Sequence, residues 1–433
     1  MFETALSVSV VLTVLGPLVA VLFVASNLVF MPQLPSERLV RGAIIGGLSV
    51  SLAGALATGG SWLLAPLPAE VEFSPWLKMG SYVVPIVFHI DALSVVFSAL
   101  AALLTLLSAR FSSTYLHREP GYTRYFVVLA LFGTGVQLVA LAGALDLFFA
   151  GWELIGLASA LFIGFFKDRR EPLLSAIRAF ATYRACDIGF FLGLVATHEL
   201  LGSTRLSALE GAGALSPLAR NVLAACFLLA ALGKSAQLPF SSWLPRAMEG
   251  PTPSSALFYG GISVHTGLYL LLRTHALLDV APVVQGVGVG LGLLTALFAA
   301  LVARVQTDAK STIAFSTLAQ TGLILAEIAA GFTTLALVHL VGHALLRMSQ
   351  YLRAPSTLTD AHLLLGETRN HAIWWERALG DAARTRLFAA SLHRFRLDEW
   401  TEAAVAWVWW SATRFSDLDA RWRSRVALDR EPS

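Results

Sequence analysis

The chain has 433 residues, of which 56% are apolar and 14% charged, a balance that excludes an ordinary soluble enzyme and describes a chain threaded repeatedly through a bilayer. Its formal charge of +3 comes from basic residues set mostly in the connections between apolar runs, so the basic balance does not imply nucleic-acid binding. Cys186 and Cys226 lie in separate apolar runs without metal-ligand spacing, which predicts neither a disulfide nor an iron–sulfur or other metal centre.

In chain order, the first apolar run, 7–29, lacks the basic leading segment and cleavage signature of a secretory signal and is predicted as a retained span. Ten more are predicted at 41–63, 81–109, 122–142, 145–166, 179–198, 218–239, 253–272, 282–303, 311–330 and 332–351, making eleven, each about long enough for the hydrocarbon thickness. Asp91 falls inside the third of these. With the N-terminus outside, fourteen Lys and Arg residues fall in inner connections and four in outer ones, so the positive-inside rule places residue 353 in the cytoplasm. Beyond 353 the composition turns polar, and the tryptophan-rich stretch 403–415 is predicted as an interfacial or subunit-packed helix, with a short further span as the alternative.

Ionisable residues within spans carry the chemistry. Glu153 sits in Gly151-Trp152-Glu153-Leu154-Ile155-Gly156-Leu157, and reads either as a hydrogen-bonded structural carboxyl or as a proton-relay partner for an opposing cation. Arg184 and Asp187 are three apart in the sixth span and share a helix face, as a structural clamp or part of an access path. Lys234 lies in Gly233-Lys234-Ser235-Ala236-Gln237-Leu238-Pro239, at membrane depth, where Pro239 and Pro245 predict that its helix breaks within a turn or two. Gly286, Gly288 and Gly290 predict a close helix-packing surface, and Lys310 stands at the start of the tenth span, where it either snorkels or feeds protons inward. His339, His343 and Arg347 recur at spacing four, on one stripe; imidazoles suit a proton relay, and the set is too small for a metal site. His265, in the eighth span, is expected to face the interior or an interface.

The stretches 233–253 and 151–157, Gln306-Thr307-Asp308-Ala309-Lys310 with Ala314-Phe315-Ser316-Thr317, and the stripe 339–347 together resemble, in chain order, a known family. It is that of the antiporter-like membrane subunits of respiratory complex I and of multisubunit sodium/proton antiporters, and within it subunit L, or subunit 5, of NADH–quinone oxidoreductase. The resemblance covers about residues 85–353. It implies an all-α polytopic fold built of inverted repeats with broken helices: N-terminal helices at 1–110, a complete antiporter-like repeat at 111–275, a partial second repeat at 276–353 and a cytoplasmic-side tail with an interfacial or lateral helix at 354–433. It further implies that Glu153 and Lys234 form a central ion pair, that Arg184 and Asp187 lie near it, and that Lys310, His339 and His343 belong to a polar axis carrying protons.

Three departures stand out. Arg347 replaces a lysine usual after the paired histidines, Tyr259 stands where a histidine is usual, and His265 is a histidine in an unusual place. The chain also ends three helices into the second repeat, which reads as a C-terminally shortened member. The function implied is a proton-translocating, multi-pass subunit of the inner membrane that works with other integral membrane subunits, on protons or sodium, and has no cofactor, metal or redox centre of its own. Two other readings are the membrane half of a proton-coupled inorganic-carbon uptake pair with a cytosolic zinc protein, and a nonconducting anchor.

Overall fold

A computed structural model describes residues 2–31, 35–65, 68–80, 82–354 and 380–403, with 406, 407, 410, 411, 413 and 414. The chain divides into two units, 1–368 and 369–433. Among the described residues of the first, ten helices are long and apolar enough to cross a membrane. They comprise α1 (Phe2–Phe30), α2 (Glu37–Leu64), α3 (Ala92–Tyr115), α4 (Tyr122–Leu141), α5 (Leu145–Ile163), α6 (Arg170–Leu201), α7 (Pro217–Lys234), the stretch Thr252–Arg273, α12 (Pro282–Ala303) and α13 (Ala309–Ala329). The eleventh predicted span is present as α14 (Thr333–Arg353), but its His339, His343, Arg347 and Arg353 keep it out of that apolar set.

The third predicted span is shorter than expected. Residues Ala69–Met79 (β1) and Tyr82–Ile90 (β2) pair as an antiparallel hairpin, and the helix begins only at Ala92. The run Tyr82-Val83-Val84-Pro85-Ile86-Val87 is apolar enough to extend a span but is β-branched and carries a proline, which favours extended backbone. Asp91 is therefore outside the helix as its N-cap: Ser94 N–H donates to Asp91 Oδ1 at 2.8 Å, and Asp91 N–H donates to Ser94 Oγ at 2.8 Å. Its carboxylate also takes both terminal nitrogens of Arg273, at 2.7 and 3.0 Å, tying the hairpin end to the far end of the Thr252–Arg273 stretch.

The helix carrying Lys234 stops at that residue. Ala236 takes the left-handed conformation (φ 54°), its N–H donates to the Gly233 carbonyl, and the Gln237 N–H donates back to the Leu232 carbonyl at 2.8 Å. This is a Schellman termination with alanine in the position that usually holds glycine. The chain then passes through the cis Leu238–Pro239 bond into α8 (Trp243–Arg246). Next, the stretch Thr252–Arg273 is itself interrupted: α9 (Thr252–Ser255) leads into a wide π turn over Ala256–Gly261, where Ile262 N–H reaches the Leu257 carbonyl, before α10 (Ser263–Arg273) resumes and α11 (His275–Asp279) follows. Every residue of the most apolar window of that stretch is buried inside the bundle.

Close packing of α12 on α13 uses one of the three predicted glycines, Gly288, together with Gly292. A Cβ on Gly292 would lie 2.6 Å from the Gly322 carbonyl, and one on Gly288 would lie 2.9 Å from Ala329 Cβ, whereas Gly286 and Gly290 face open space. In the second unit α15 (Asp381–Leu392) precedes a short turn at Arg394–Arg396, with an Arg396–Glu399 ion pair at 2.5 Å. The tryptophan-rich stretch 403–415 lies partly outside the described residues, as does most of the segment 354–379.

Candidate functional site

Two buried polar clusters lie within the bundle, joined by the broken helix. The first forms where α5, α6 and the end of α7 meet. Three residues on α5 share the work: Trp152 offers its carbonyl, Glu153 its carboxylate, and Gly156, one turn on, an empty place. Lys234 is 1% exposed, and its ammonium donates to the Trp152 carbonyl at 3.0 Å. It also lies 4.7 Å from the Trp152 ring centre and 5.2 Å from that of Tyr183, whose π faces stabilise a cation shielded from water. A Cβ on Gly156 would stand 3.1 Å from that ammonium and 3.6 Å from Arg184 Nη2, so two cations share the room that a missing side chain leaves. A Cβ on Gly233 would collide with Cys186 at 2.3 Å, so Gly233 lets the end of α7 approach α6. Cys186 and Cys226 are both free.

The expected direct pairing of Glu153 with Lys234 is replaced by a relay of charge through arginine. Arg184 bonds Glu153 through Nη1, and donates to Asp187 Oδ2 through Nη2 at 2.8 Å. Asp187, itself buried, also accepts from the Trp152 indole at 2.5 Å. Arginine's flat fork can serve two carboxylates at once, and Arg184 and Asp187 sit three apart on α6, so both point to α5 together. One Glu153 oxygen and the Arg184 Nε are buried without a hydrogen-bond partner among the described residues.

The second cluster lies between α10, α13 and α14. His339 places Nδ1 2.9 Å from Glu327 Oε1 and Nε2 3.1 Å from Gln320 Oε1, both on α13. His343 lies one turn on, its ring centre 6.3 Å from that of His339. Its Nδ1 is 2.9 Å from Nε2 of His265 on α10, and its Nε2 accepts from Arg347 Nε at 3.1 Å. Arg347 also donates to Gln350 Oε1 at 2.7 Å and to the Ser316 carbonyl at 3.1 Å. The stripe at spacing four thus reaches Tyr351 as well, fully buried.

The break after Lys234 stitches the clusters together. Ser235 Oγ–H donates to the carbonyl of Val264, the neighbour of His265, at 2.6 Å; Gln237 Nε2 reaches Thr321 Oγ1 on α13 at 3.1 Å; and Leu238 N–H donates to Thr295 Oγ1 on α12 at 3.1 Å. Of the residues picked out from sequence, Glu153, Arg184, Asp187 and Lys234 come together, as do His339 and His343. Lys310 stands apart, half-buried in the first turn of α13, near the charges of Asp308 and Glu249. Sequence reasoning missed Glu327 and Gln320 as partners of His339; a signal existed, since an isolated carboxyl in an apolar span calls for a partner.

These arrangements can be set beside known proteins. The sequence pattern described as "NADH:quinone oxidoreductase/Mrp antiporter, TM" matches residues 142–374, and "NADH-Ubiquinone oxidoreductase (complex I), chain 5 N-terminus" matches 76–126. The chain is 31% identical over 304 residues to the chloroplastic NAD(P)H-quinone oxidoreductase subunit 5 of Adiantum capillus-veneris, covering 69% of this chain and 42% of that one. It is 31% identical over 325 residues to NAD(P)H-quinone oxidoreductase chain 5 of Synechocystis sp., covering 73% of this chain and 48% of that one. It therefore spans about half the length of the curated relatives it matches. Among solved structures, the Mrp complex from Dietzia sp. superposes with a TM-score of 0.67 at 27% identity, covering 81% of this chain and 37% of that chain. The archaeal membrane-bound sulfane sulfur reductase shares the fold at a TM-score of 0.69 and 18% identity, over 80% of this chain and 70% of that chain. Since the first pattern alone spans more than half of the chain, this polytopic membrane protein belongs to the NADH:quinone oxidoreductase/Mrp antiporter family.

Proposed function

We propose that the chain is a proton-translocating subunit of a multisubunit membrane assembly of the quinone-oxidoreductase or antiporter kind, and that Lys234 is its central carrier. The observation that carries this reading is a lysine buried at the end of a broken helix, its ammonium held by one carbonyl and two aromatic faces and, among the described residues, by no carboxylate directly. A charge so placed is costly to keep for structure alone, and the Glu153–Arg184–Asp187 group beside it supplies a field that changes whenever one carboxylate gains a proton or a partner. Glu153, Arg184, Asp187, Lys310, His339 and His343 are proposed members of the same path.

The need for partner subunits has its own support. The Arg184 and Glu153 side chains are 38% and 28% exposed in the middle of crossing helices, where an ion pair bare to lipid tails is unfavourable and a neighbouring membrane protein would cover it. The relatives named as quinone oxidoreductase subunits and the Mrp complex are assemblies of this kind.

The test is Lys234→Ala in the chain purified with its copurifying subunits and reconstituted in liposomes holding a pH-sensitive dye. Proton flux under an imposed gradient should be lost at matched incorporation; wild-type flux rejects Lys234 as carrier. Repeating the assay with and without sodium separates proton movement from sodium exchange.

A further inference from the structure

The hydrogen bonds around His343 admit one protonation pattern only. Arg347 has donors and no acceptor, so its Nε–H must donate to His343 Nε2, which therefore carries a lone pair. A ring with Nε2 free holds its proton on Nδ1, and that proton must point to His265 Nε2, 2.9 Å away. His265 Nε2 is then an acceptor, and its own proton is on Nδ1. The reverse assignment would leave His343 accepting at both nitrogens, which is an imidazolate. His265 Nδ1 is buried beside the Gly261 carbonyl at the end of the π turn. The three residues thus form a chain in which every hydrogen bond points the same way, from Arg347 through His343 to His265.

Such a chain is loaded but closed. A proton can enter only at His343 Nε2, the atom that Arg347 occupies. His339, held by Glu327 and one turn away along α14, is the adjacent titratable group; as placed, both its nitrogens face oxygen atoms, the set that a protonated ring satisfies.

We propose, building on the proton-translocating reading above, that His265 is a proton carrier joining α14 to the broken helices, and that Arg347 is its gate. When Arg347 Nε swings away, a proton from His339 bonds to His343 Nε2. The Nδ1–H bond of His343 breaks as Nε2–H forms on His265, and His265 releases its Nδ1 proton to a water molecule on the side of the π turn. One proton enters and one leaves; both rings end neutral with their tautomers exchanged, and a ring flip or the reverse transfer resets them. Arg347 keeps its own proton throughout, since a guanidinium does not give it up at any accessible pH. His265 follows Val264, whose carbonyl accepts from Ser235, so the backbone beside the carrier is tied to the residue after Lys234. The groups facing the pair are Arg347 and His339 on α14; behind them, Glu327 and Gln320 from α13 hold His339, and the Ser316 carbonyl holds Arg347.

Two measurements on the full chain with its copurifying subunits test this. In liposomes, His265→Phe and His265→Gln should each lower proton flux by about a hundredfold or more at matched incorporation, the scale of losing one positioned proton-transfer group. Arg347→Gln should raise flux, because the group that closes His343 Nε2 has been removed while both carriers remain; flux lost in Arg347→Gln overturns the gate. Wild-type flux in both His265 variants, with flux lost in Lys234→Ala, overturns the carrier and leaves the proposed function standing; flux retained in Lys234→Ala and lost in the His265 variants does the reverse. Independently of flux, nitrogen NMR of histidine-labelled protein should show His343 protonated on Nδ1, with a coupling across the hydrogen bond to His265 Nε2, and a mixture of tautomers in Arg347→Gln. His343 protonated on Nε2 in the wild type overturns the gate, whatever the flux.

Discussion

Lys234 and Gly156 meet so closely that a Cβ on Gly156 would stand 3.1 Å from the lysine's ammonium nitrogen. Gly156→Ala should therefore push the ammonium a few tenths of an ångström and weaken its bond to the Trp152 carbonyl, while Gly156→Val, with two more carbons, should displace it altogether. Proton flux should fall in that order with little change in the amount of protein incorporated. Gly286→Ala, which adds its methyl to open space, is the control and should match wild type. Equal flux in all three variants would show that the position of the ammonium does not matter.

Arg184 holds two carboxylates, so Arg184→Gln strands both. Breaking a fully buried pair costs about 3–5 kcal/mol; with its side chain 38% exposed, Arg184 should cost nearer to about 2 kcal/mol. Adding Asp187→Asn to Arg184→Gln should recover part of that loss by removing one stranded charge. Chemical unfolding of the four proteins in a double-mutant cycle measures the coupling. Additive losses would contradict the shared-arginine geometry.

Ala236 occupies the left-handed position that ends the Lys234 helix. Ala236→Val puts a β-branched side chain there and should lower stability by about 1–2 kcal/mol or more. Ala236→Gly relieves the backbone but loses a buried methyl, worth about 0.8 kcal/mol, so it should change little. Thermal inactivation midpoints of the two variants should separate clearly, and a destabilised glycine variant beside a neutral valine one would refute the termination described above.

The Asp91 cap predicts an acid response. Burial alone would raise its carboxyl, but His89, Arg273 and the Ser94 amide outweigh it and hold the group below its ordinary value of 3.8. Because the folded value lies below the unfolded one, the stabilisation is complete above that ordinary value and is lost as pH falls through the folded value. Asp91→Asn should thus be less stable than wild type at neutral pH, and the gap should narrow as acid is added. A gap constant from about pH 7 to about pH 3 would assign the effect to packing instead of charge.

Much of this was readable from residues alone. Long apolar runs need lipid or protein around them, so most spans follow from composition, and Pro239 and Pro245 forbid a continuous helix past Lys234. Spacing along one helix is equally legible: the Arg184–Asp187 pair and the stripe His339, His343, Arg347 needed only the 3.6-residue period. The cap at Asp91 was harder, because a short β-branched apolar run extends a span and makes a strand with equal hydropathy, and only pairing with Ala69–Met79 decided between them.

What the sequence by itself determined is therefore which residues are expensive to bury and which of them share a face, since both depend on chemistry and on local helical geometry. Which helix those faces meet was decided by the tertiary structure. Arg184, not Lys234, reached the Glu153 carboxylate, in a packing where Gly156 on α5 leaves room for both cations and Gly233 lets the end of α7 close on α6. His265 found His343 because the π turn over Ala256–Gly261 resets the phase of α10 before the histidine, and Gly288 and Gly292, not Gly286 and Gly290, turned toward α13. Each of these outcomes depends on how one helix is rotated and slid against another, and residues distant along the chain set that rotation through packing which no periodicity within a single span encodes.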